Sequence, residues 1–159
     1  MGKEYYDNGA LRFEGEYLNG QRDGKGKEYY DNGKIKFEGK YTFGKRNGKG
    51  KEYYDNGNLK FEGEYSYGKR NGEAKEYYDN GKLKFEGIYL EGNKRDGKGY
   101  NKSNIIDFQI KGGNGEGKEY YDNGKLEFEG EYSNSQRWNG KVYNIYGKFA
   151  YYLKDGIQF

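Results

Sequence analysis

The chain has no cysteine, no histidine and no proline among its 159 residues. Without cysteine there is no disulfide, thiol nucleophile or thiolate metal site, and a reducing, cytoplasmic compartment is mildly favoured. Without histidine the commonest general base and metal ligand is missing. Proline cannot donate to a β-ladder, so its absence suits a chain whose backbone N–H groups nearly all enter ladders. No apolar run approaches the roughly 18 residues of a membrane span.

Hydrophobic residues are scarce at 31%, while charged residues make up 35%. Such a balance would favour disorder in a featureless chain, but 19% of the residues are aromatic, and aromatic side chains bury large areas and pair with one another. The 29 basic and 26 acidic residues are interleaved and leave a net charge of only +3. This weak field argues against nucleic acid as a partner.

The heptapeptide KEYYDNG occurs five times, and the first four copies are spaced by 24 residues. A fixed period of this length is typical of stacked repeats, in which each unit contacts only its neighbours. Phenylalanine, glycine and tyrosine recur in phase with the heptapeptide, as in Phe37, Gly39 and Tyr41. We expect a glycine between two aromatic residues to leave room for a ring of the neighbouring repeat to lie flat over bare backbone.

Each repeat predicts a β-hairpin. In the second copy, Asn32-Gly33 is a strong signal for a two-residue turn, and the residues after it alternate between apolar and charged. Such a turn would pair Tyr30 with Ile35 on the apolar face and leave Tyr29 with Lys36 on the other face; a three-residue turn would invert this register. A second, broader turn is predicted at residues 43–48.

We interpret residues 1–159 as a single repeat domain. Long repeats cover residues 2–96 and 116–137, and short, divergent repeats cover 97–115 and 138–159, the last as a C-terminal cap. Two strands per unit predict about fourteen strands in an elongated, strongly twisted, single-layer antiparallel β-sheet of about 60 Å.

The aromatic-Glu-Gly-Lys-aromatic run at 37–41, the Gly-Lys-Arg turn at 44–46 and the Asp-Asn-Gly turn at 55–57 resemble the MORN repeat. They are also similar to the variant found in YwqK-type antitoxin-like proteins. The resemblance covers the long repeats and implies a twisted sheet of stacked hairpins that binds proteins or anionic phospholipids. Two positions depart from the family pattern, because tyrosine replaces the usual strand-ending tryptophan and Asn or Asp replaces the histidine that commonly follows the arginine.

Nothing in the sequence predicts catalysis, a cofactor or a metal site. The carboxylates recur with the period, as in Glu14, Glu38, Glu62 and Glu86, and an active site needs unique residues rather than copies. We interpret these glutamates as solvated cross-strand partners of lysines. The expected function is therefore a non-catalytic scaffold for a protein or peptide partner.

Two columns of side chains are candidate binding surfaces. The first is an aromatic and basic strip, which suits a protein or peptide partner; it comprises Tyr5, Tyr29, Tyr53, Tyr77 and Tyr120 beside Arg12, Lys36, Lys60 and Lys84. Packing of tyrosine against lysine stems explains the same strip without a partner. The second is a column of arginines expected in the turns, which suits anionic lipid; it comprises Arg22, Arg46, Arg70, Arg95 and Arg137.

Three functions stay open at this point. The arginines would serve a peripheral membrane binder, but stacking on aromatic rings and bonding to turn carbonyls is the favoured explanation for them. An antitoxin-like protein that binds a toxin is a special case of the scaffold. The partner, the oligomeric state and the face of the sheet that is used do not follow from the sequence.

Overall fold

Fifteen antiparallel strands form one open sheet in the computed structural model, which describes residues 1–159. The strands lie in sequence order, each hydrogen-bonded to the next, and there is no helix. The predicted all-β sheet of stacked hairpins is thereby confirmed, with one short strand more than the number expected. The strands are β1 (Gly2–Tyr5), β2 (Leu11–Leu18), β3 (Gln21–Tyr29), β4 (Ile35–Thr42), β5 (Lys45–Tyr53), β6 (Leu59–Ser66), β7 (Lys69–Tyr77), β8 (Leu83–Leu90), β9 (Asn93–Tyr100), β10 (Ile106–Lys111), β11 (Asn114–Tyr120), β12 (Leu126–Ser133), β13 (Gln136–Tyr143), β14 (Phe149–Lys154) and β15 (Ile157–Gln158).

The two turns of each repeat differ in length. Phe43-Gly44 joins β4 to β5 as a two-residue turn in which both residues have positive φ, 49° and 77°, as in type I′ hairpins. The Gly44 N–H donates to the Arg22 carbonyl at 2.9 Å, so consecutive turns are tied together. The broad turn predicted at residues 43–48 is wrong, because β5 begins at Lys45 and Gly48 lies in a bulge within it.

The Asp-Asn-Gly segment forms the longer turn. The Tyr30 N–H donates to the Lys34 carbonyl at 2.9 Å, and the Gly33 N–H donates back to the Tyr30 carbonyl at 3.0 Å. Only Gly33, with φ of 80°, takes the left-handed conformation, so this is a three-residue loop and the predicted two-residue turn is wrong.

A bulge follows this loop and sets the two faces of the sheet. Tyr29 pairs with Ile35, but Glu28 pairs with Phe37, so Lys36 is an extra residue. One face therefore carries Phe37 and Glu28, and we call it the packed face; the other carries Tyr29, and we call it the open face. The two tyrosines divide between the faces as predicted, but Ile35 pairs on the open face, opposite to the prediction.

Rings and glycines build the core on the packed face. Phe37 is fully buried and meets Tyr41 of its own repeat and Tyr65 of the next edge to face, with ring centroids 5.6 and 5.4 Å apart. A Cβ at Gly39 or Gly50 would lie 2.7 or 2.6 Å from the Phe37 ring. The ring over bare backbone thus belongs to the same hairpin, not to the neighbouring repeat as expected. The equivalent buried phenylalanines are Phe13, Phe61, Phe85 and Phe128.

The sheet curves around its first short hairpin. The Tyr54 hydroxyl, in the loop after β5, donates to Asp122 Oδ1 in the loop after β11 at 3.1 Å, although two other loops at the same edge of the sheet lie between them. Lys84 Nζ lies 3.2 Å from the same carboxylate. Tyr78, enclosed by this curvature, is only 1% exposed. The packed face is therefore on the inside of the curve.

Candidate functional site

Charged side chains on the packed face satisfy one another. The Arg46 guanidinium lies 4.0 Å from the centroid of the Phe37 ring and bridges two glutamates, with Nη2 2.9 Å from Glu28 and Nη1 3.5 Å from Glu52. The Tyr41 hydroxyl also donates to Glu28 at 2.6 Å. Burial alone would raise the pKa of Glu28, but the hydrogen bonds from Arg46 and Tyr41 outweigh it and lower this pKa.

The same arrangement recurs along the packed face. Arg22 and Arg70 also stack on a buried phenylalanine and also contact two glutamates each. Arg137 lies over Phe128 at 5.1 Å and contacts Glu119 and Glu127. We call this alternating series of arginines and glutamates the charge ladder. Its members leave few free charges for a ligand on this face.

The predicted position of the arginines in turns is wrong, because the ladder arginines lie within strands. Arg95 is not part of the ladder at all. Lys94 pairs with Tyr89 in its place, 3.4 Å from Glu76 and 5.1 Å from the Phe85 ring, while Arg95 is half-exposed beside Asp96. The bulge in β9 is shorter than the equivalent bulge in β5, so the residue that faces the core shifts by one.

The predicted aromatic and basic strip is divided between the two faces. Lys36 Nζ lies 5.5 Å from the centroid of the Tyr30 ring on the packed face, whereas the Tyr29 hydroxyl donates to Glu14 on the open face at 2.6 Å. Lys60 and Lys84 likewise lie over Tyr54 and Tyr78, and Arg12 pairs with Glu4 of the charge ladder. The bulge after each Asp-Asn-Gly loop separates the lysines from the tyrosines that the sequence placed beside them.

The tyrosines of the open face form a continuous column. Tyr53 and Tyr77 donate to Glu38 and Glu62 at 2.6 and 2.8 Å, and burial followed by these hydrogen bonds raises the pKa of each tyrosine to about 12. Burial, followed by the influence of the Asp107 carboxylate, also raises the pKa of Tyr120 to about 12. Tyr5, at the edge of the sheet, is 57% exposed.

A groove of about 1220 Å³ runs along the open face from β2 to β9. Four of these strands, β3 to β6, contribute a glycine flanked by two charged residues, such as Glu38-Gly39-Lys40 in β4 and Lys49-Gly50-Lys51 in β5, and Ala74 replaces the glycine in β7. The backbone of these glycines forms the floor of the groove. A side chain at a glycine position would point away from the groove, to the packed face. The sequence contains these triplets, but only the register shows that they line up into one groove.

One row of charges along this groove alternates in sign from strand to strand. Glu38 pairs in register with Lys51, and Lys51 Nζ lies 3.9 Å from Glu62 in the next strand. The glutamates predicted to be cross-strand partners of lysines are therefore confirmed in that role. We call this series the paired row, and it consists of Glu14, Lys27, Glu38, Lys51, Glu62, Lys75, Glu86 and Lys98.

No group of three or more aspartates and glutamates is arranged to hold a metal ion. The structure also has no helix long and apolar enough to span a bilayer.

Comparison with known families agrees with the repeat architecture. The MORN repeat model matches residues 13–35, and the MORN repeat variant model matches residues 2–19, 46–67, 70–91 and 114–134. Residues 92–113 and 135–159, which hold most of the two short hairpins, lie outside these matches. No curated protein matches the chain. MORN repeats generally act as protein- or membrane-binding modules and are typically not catalytic. Since the variant model alone matches more than half of the residues, the chain belongs to the MORN-repeat family.

Proposed function

We propose that this protein is a non-catalytic binding module that receives a protein or peptide partner in the groove of its open face. The observation that carries the proposal is the groove itself, which crosses eight consecutive strands without interruption. At about 4.8 Å per strand it is about 34 Å long, which matches about ten residues of an extended peptide at 3.3 Å each.

The two faces differ in what they offer a partner. On the packed face the rings are buried and the charge ladder is internally paired, so binding there would have to break existing contacts. On the open face, charged side chains border a floor of bare backbone, and the tyrosine column lies next to the paired row, whose glutamates accept its hydrogen bonds. A peptide can approach such a floor closely, and tyrosine is well suited to anchoring it. We therefore assign Tyr29, Tyr53, Tyr77 and Tyr120 to the proposed binding surface.

A membrane-binding role has weaker support from the geometry. Arg22, Arg46, Arg70 and Arg137 each stack on a phenylalanine and pair with glutamates, so their charges are already compensated. Attraction to anionic lipid needs uncompensated positive charge near the bilayer. Of the five candidate arginines, only Arg95 has a side chain about half exposed.

Photo-crosslinking from single positions tests the proposal. A benzophenone amino acid is introduced at Lys51 or Tyr53 on the open face, or at the matched positions Lys36 or Lys60 on the packed face. After irradiation in the producing cell, we expect a discrete adduct from the open-face positions alone, with its protein component identified by mass spectrometry. Adducts from the packed-face positions only, or from neither face, would contradict the proposal.

A further inference from the structure

A second row of charges borders the groove on the other side of its glycine floor. It runs through β3 to β7 and consists of Lys25, Lys40, Lys49, Glu64 and Glu73. Unlike the paired row it does not alternate in sign, because three lysines on adjacent strands are followed by two glutamates. We call it the polar row. Beyond Glu73 it reaches Ile88, which pairs with Glu73 and is 41% exposed.

The charges of the polar row form no ion pair within the molecule, although Lys49 lies opposite Glu64 in the register of β5 and β6. All five side chains are exposed, and none of them takes part in an ion pair or a side-chain hydrogen bond. Lys51 of the paired row, two residues from Lys49, is by contrast 3.9 Å from Glu62. The polar row thus leaves two free patches of opposite charge next to each other on one wall of the groove.

The lysine half of the row is unfavourable for folding. Lys25 lies directly opposite Lys40 in the register of β3 and β4, and like charges in such pairs destabilise a sheet. The equivalent of Lys40 is a glutamate in the repeats before and after it, Glu16 and Glu64, so the position itself accepts a negative residue. Neither Lys25 nor Lys40 forms an ion pair or a side-chain hydrogen bond that would offset the repulsion, and the nearest opposite charges in the row are Glu16 on β2 and Glu64 on β6. A negatively charged partner segment would do so.

We propose that the groove takes an extended polypeptide segment in which an acidic stretch is followed by a basic stretch, the acidic part against Lys25, Lys40 and Lys49 and the basic part against Glu64 and Glu73. This inference rests on the proposed function and specifies the chemistry of the partner. A nucleic acid or an anionic bilayer is a poorer occupant, because its uniform negative charge would meet the two glutamates of the same row. A polypeptide can carry both signs within the length of the groove.

The length of the lysine part of the polar row fits a short acidic stretch of the partner. Three strands at about 4.8 Å spacing place the lysines over about 10 Å, which is the reach of about three or four extended residues. Charged residues at alternate positions of such a segment would all face the groove, since side chains alternate along an extended chain. The segment would cross the strands rather than pair with an edge.

Two synthetic peptides of about eleven residues test the inference. Both carry three glutamates and three lysines at alternate positions with serine between them; in one the signs are segregated into halves, and in the other they alternate. By fluorescence anisotropy at about 50 mM salt, we expect the segregated peptide to bind the wild-type chain at least about tenfold more tightly, and the difference to shrink at about 500 mM salt.

Charge-reversal variants connect this preference to the polar row. The double variant Lys40→Glu with Lys49→Glu should lose the preference for the segregated peptide. The control Lys34→Glu with Lys45→Glu changes the net charge equally at exposed positions that do not line the groove, and it should keep the preference.

Three results would overturn the inference: equal binding of both peptides, no binding of the segregated peptide, or a preference that survives in the Lys40→Glu, Lys49→Glu variant. None of them would overturn the proposed function, because the crosslinking experiment detects any partner in the groove whatever its charge pattern. The absence of open-face adducts in the crosslinking experiment would overturn the proposed function, whatever the result of the peptide experiment.

Discussion

The guanidinium of Arg46 lies over the ring of Phe37, 4.0 Å from its centroid, and pairs with both Glu28 and Glu52. A single-layer sheet has no second layer to cover its apolar face, and this contact supplies the cover. The aliphatic stem and planar head of arginine shield the ring, while the two glutamates keep the buried charge paired. Repetition of the contact explains how a chain with so few aliphatic residues holds a core.

Replacing Arg46 with methionine should lower the free energy of unfolding by about 2 kcal/mol, measured by urea denaturation. Methionine keeps much of the cover over Phe37, so the loss reports mainly on Glu28 and Glu52, which would be left part-buried without their shared partner. The matched control is Arg12→Met, since Arg12 is half-exposed and its partner Glu4 keeps Arg22 at 2.6 Å. We expect less than about 1 kcal/mol for this control. Equal losses for the two variants would show that the charge ladder does not stabilise the fold.

The two glycines beneath Phe37 should differ in their tolerance of alanine. A Cβ at Gly39 would lie 2.9 Å from the Gly50 Cα and from the Lys49 carbonyl oxygen, so the strands would have to separate, and Gly39→Ala should cost about 2 kcal/mol or more. A Cβ at Gly50 would meet mainly the Phe37 ring.

The third repeat already has an alanine, Ala74, at the position equivalent to Gly50. Ala74 pairs with Gly63 as Gly50 pairs with Gly39, and there the Phe61 and Tyr65 rings meet at 70° instead of the 85° between Phe37 and Tyr41. Gly50→Ala should therefore cost about 1 kcal/mol or less, because a ring can tilt where backbone cannot move. Thermal melts of the two variants provide the comparison, and a larger loss for Gly50→Ala would contradict it.

Stability should fall in acid because of the carboxylates of the charge ladder. Burial alone would raise the pKa of Glu76, but Lys94, Lys84 and Arg70 outweigh it and lower the pKa to about 2. A glutamate in the unfolded chain titrates near 4.3, so between about pH 4.5 and 2 the unfolded state binds more protons, and stability decreases as the pH falls.

The variant Glu76→Gln should remove part of this dependence. We expect it to lose about 2 kcal/mol at pH 7 and to show a flatter decrease between about pH 4.5 and 2 in urea titrations. Glu64→Gln, at an exposed glutamate without an ion pair, serves as the control. Its free energy of unfolding should match that of the wild type both at pH 7 and at about pH 2. An unchanged slope in Glu76→Gln would refute the assignment.

The sequence predicted the parts of this structure that depend on period and alternation. The hairpin order, the Phe37 and Tyr41 core positions, the division of the two tyrosines and the pairing of Glu38 with lysine all follow from these patterns. The turn was mispredicted because Asp-Asn-Gly suits both a two-residue turn and a three-residue loop that ends in a left-handed glycine. The choice between them, together with the bulge at Lys36, decides which side chains share a face.

The choice between the two turns affected the predicted candidate sites more than it affected the predicted fold. Because the bulge of β9 has one residue fewer, Lys94 faces the core in place of Arg95. One extra residue in β4 places Lys36 on the face opposite to Tyr29. The groove was missed for a related reason. Lys25, Lys40 and Lys49 are far apart in the sequence, and only the register brings them onto adjacent strands.

The short turn at Phe43 offers a substitution that should stabilise the protein. Phe43 has a φ of 49° and is 70% exposed, so the side chain gains little burial while its backbone is held in a region that L-residues avoid. Asparagine accepts this conformation more readily, and the first repeat has Asn19 at the same position with a φ of 50°. Phe43→Asn should therefore raise the free energy of unfolding by about 1 kcal/mol in urea titrations. The reverse exchange, Asn19→Phe, should lower it by a similar amount, and a loss of stability in Phe43→Asn would mean that the ring makes a stabilising contact outweighing the backbone strain.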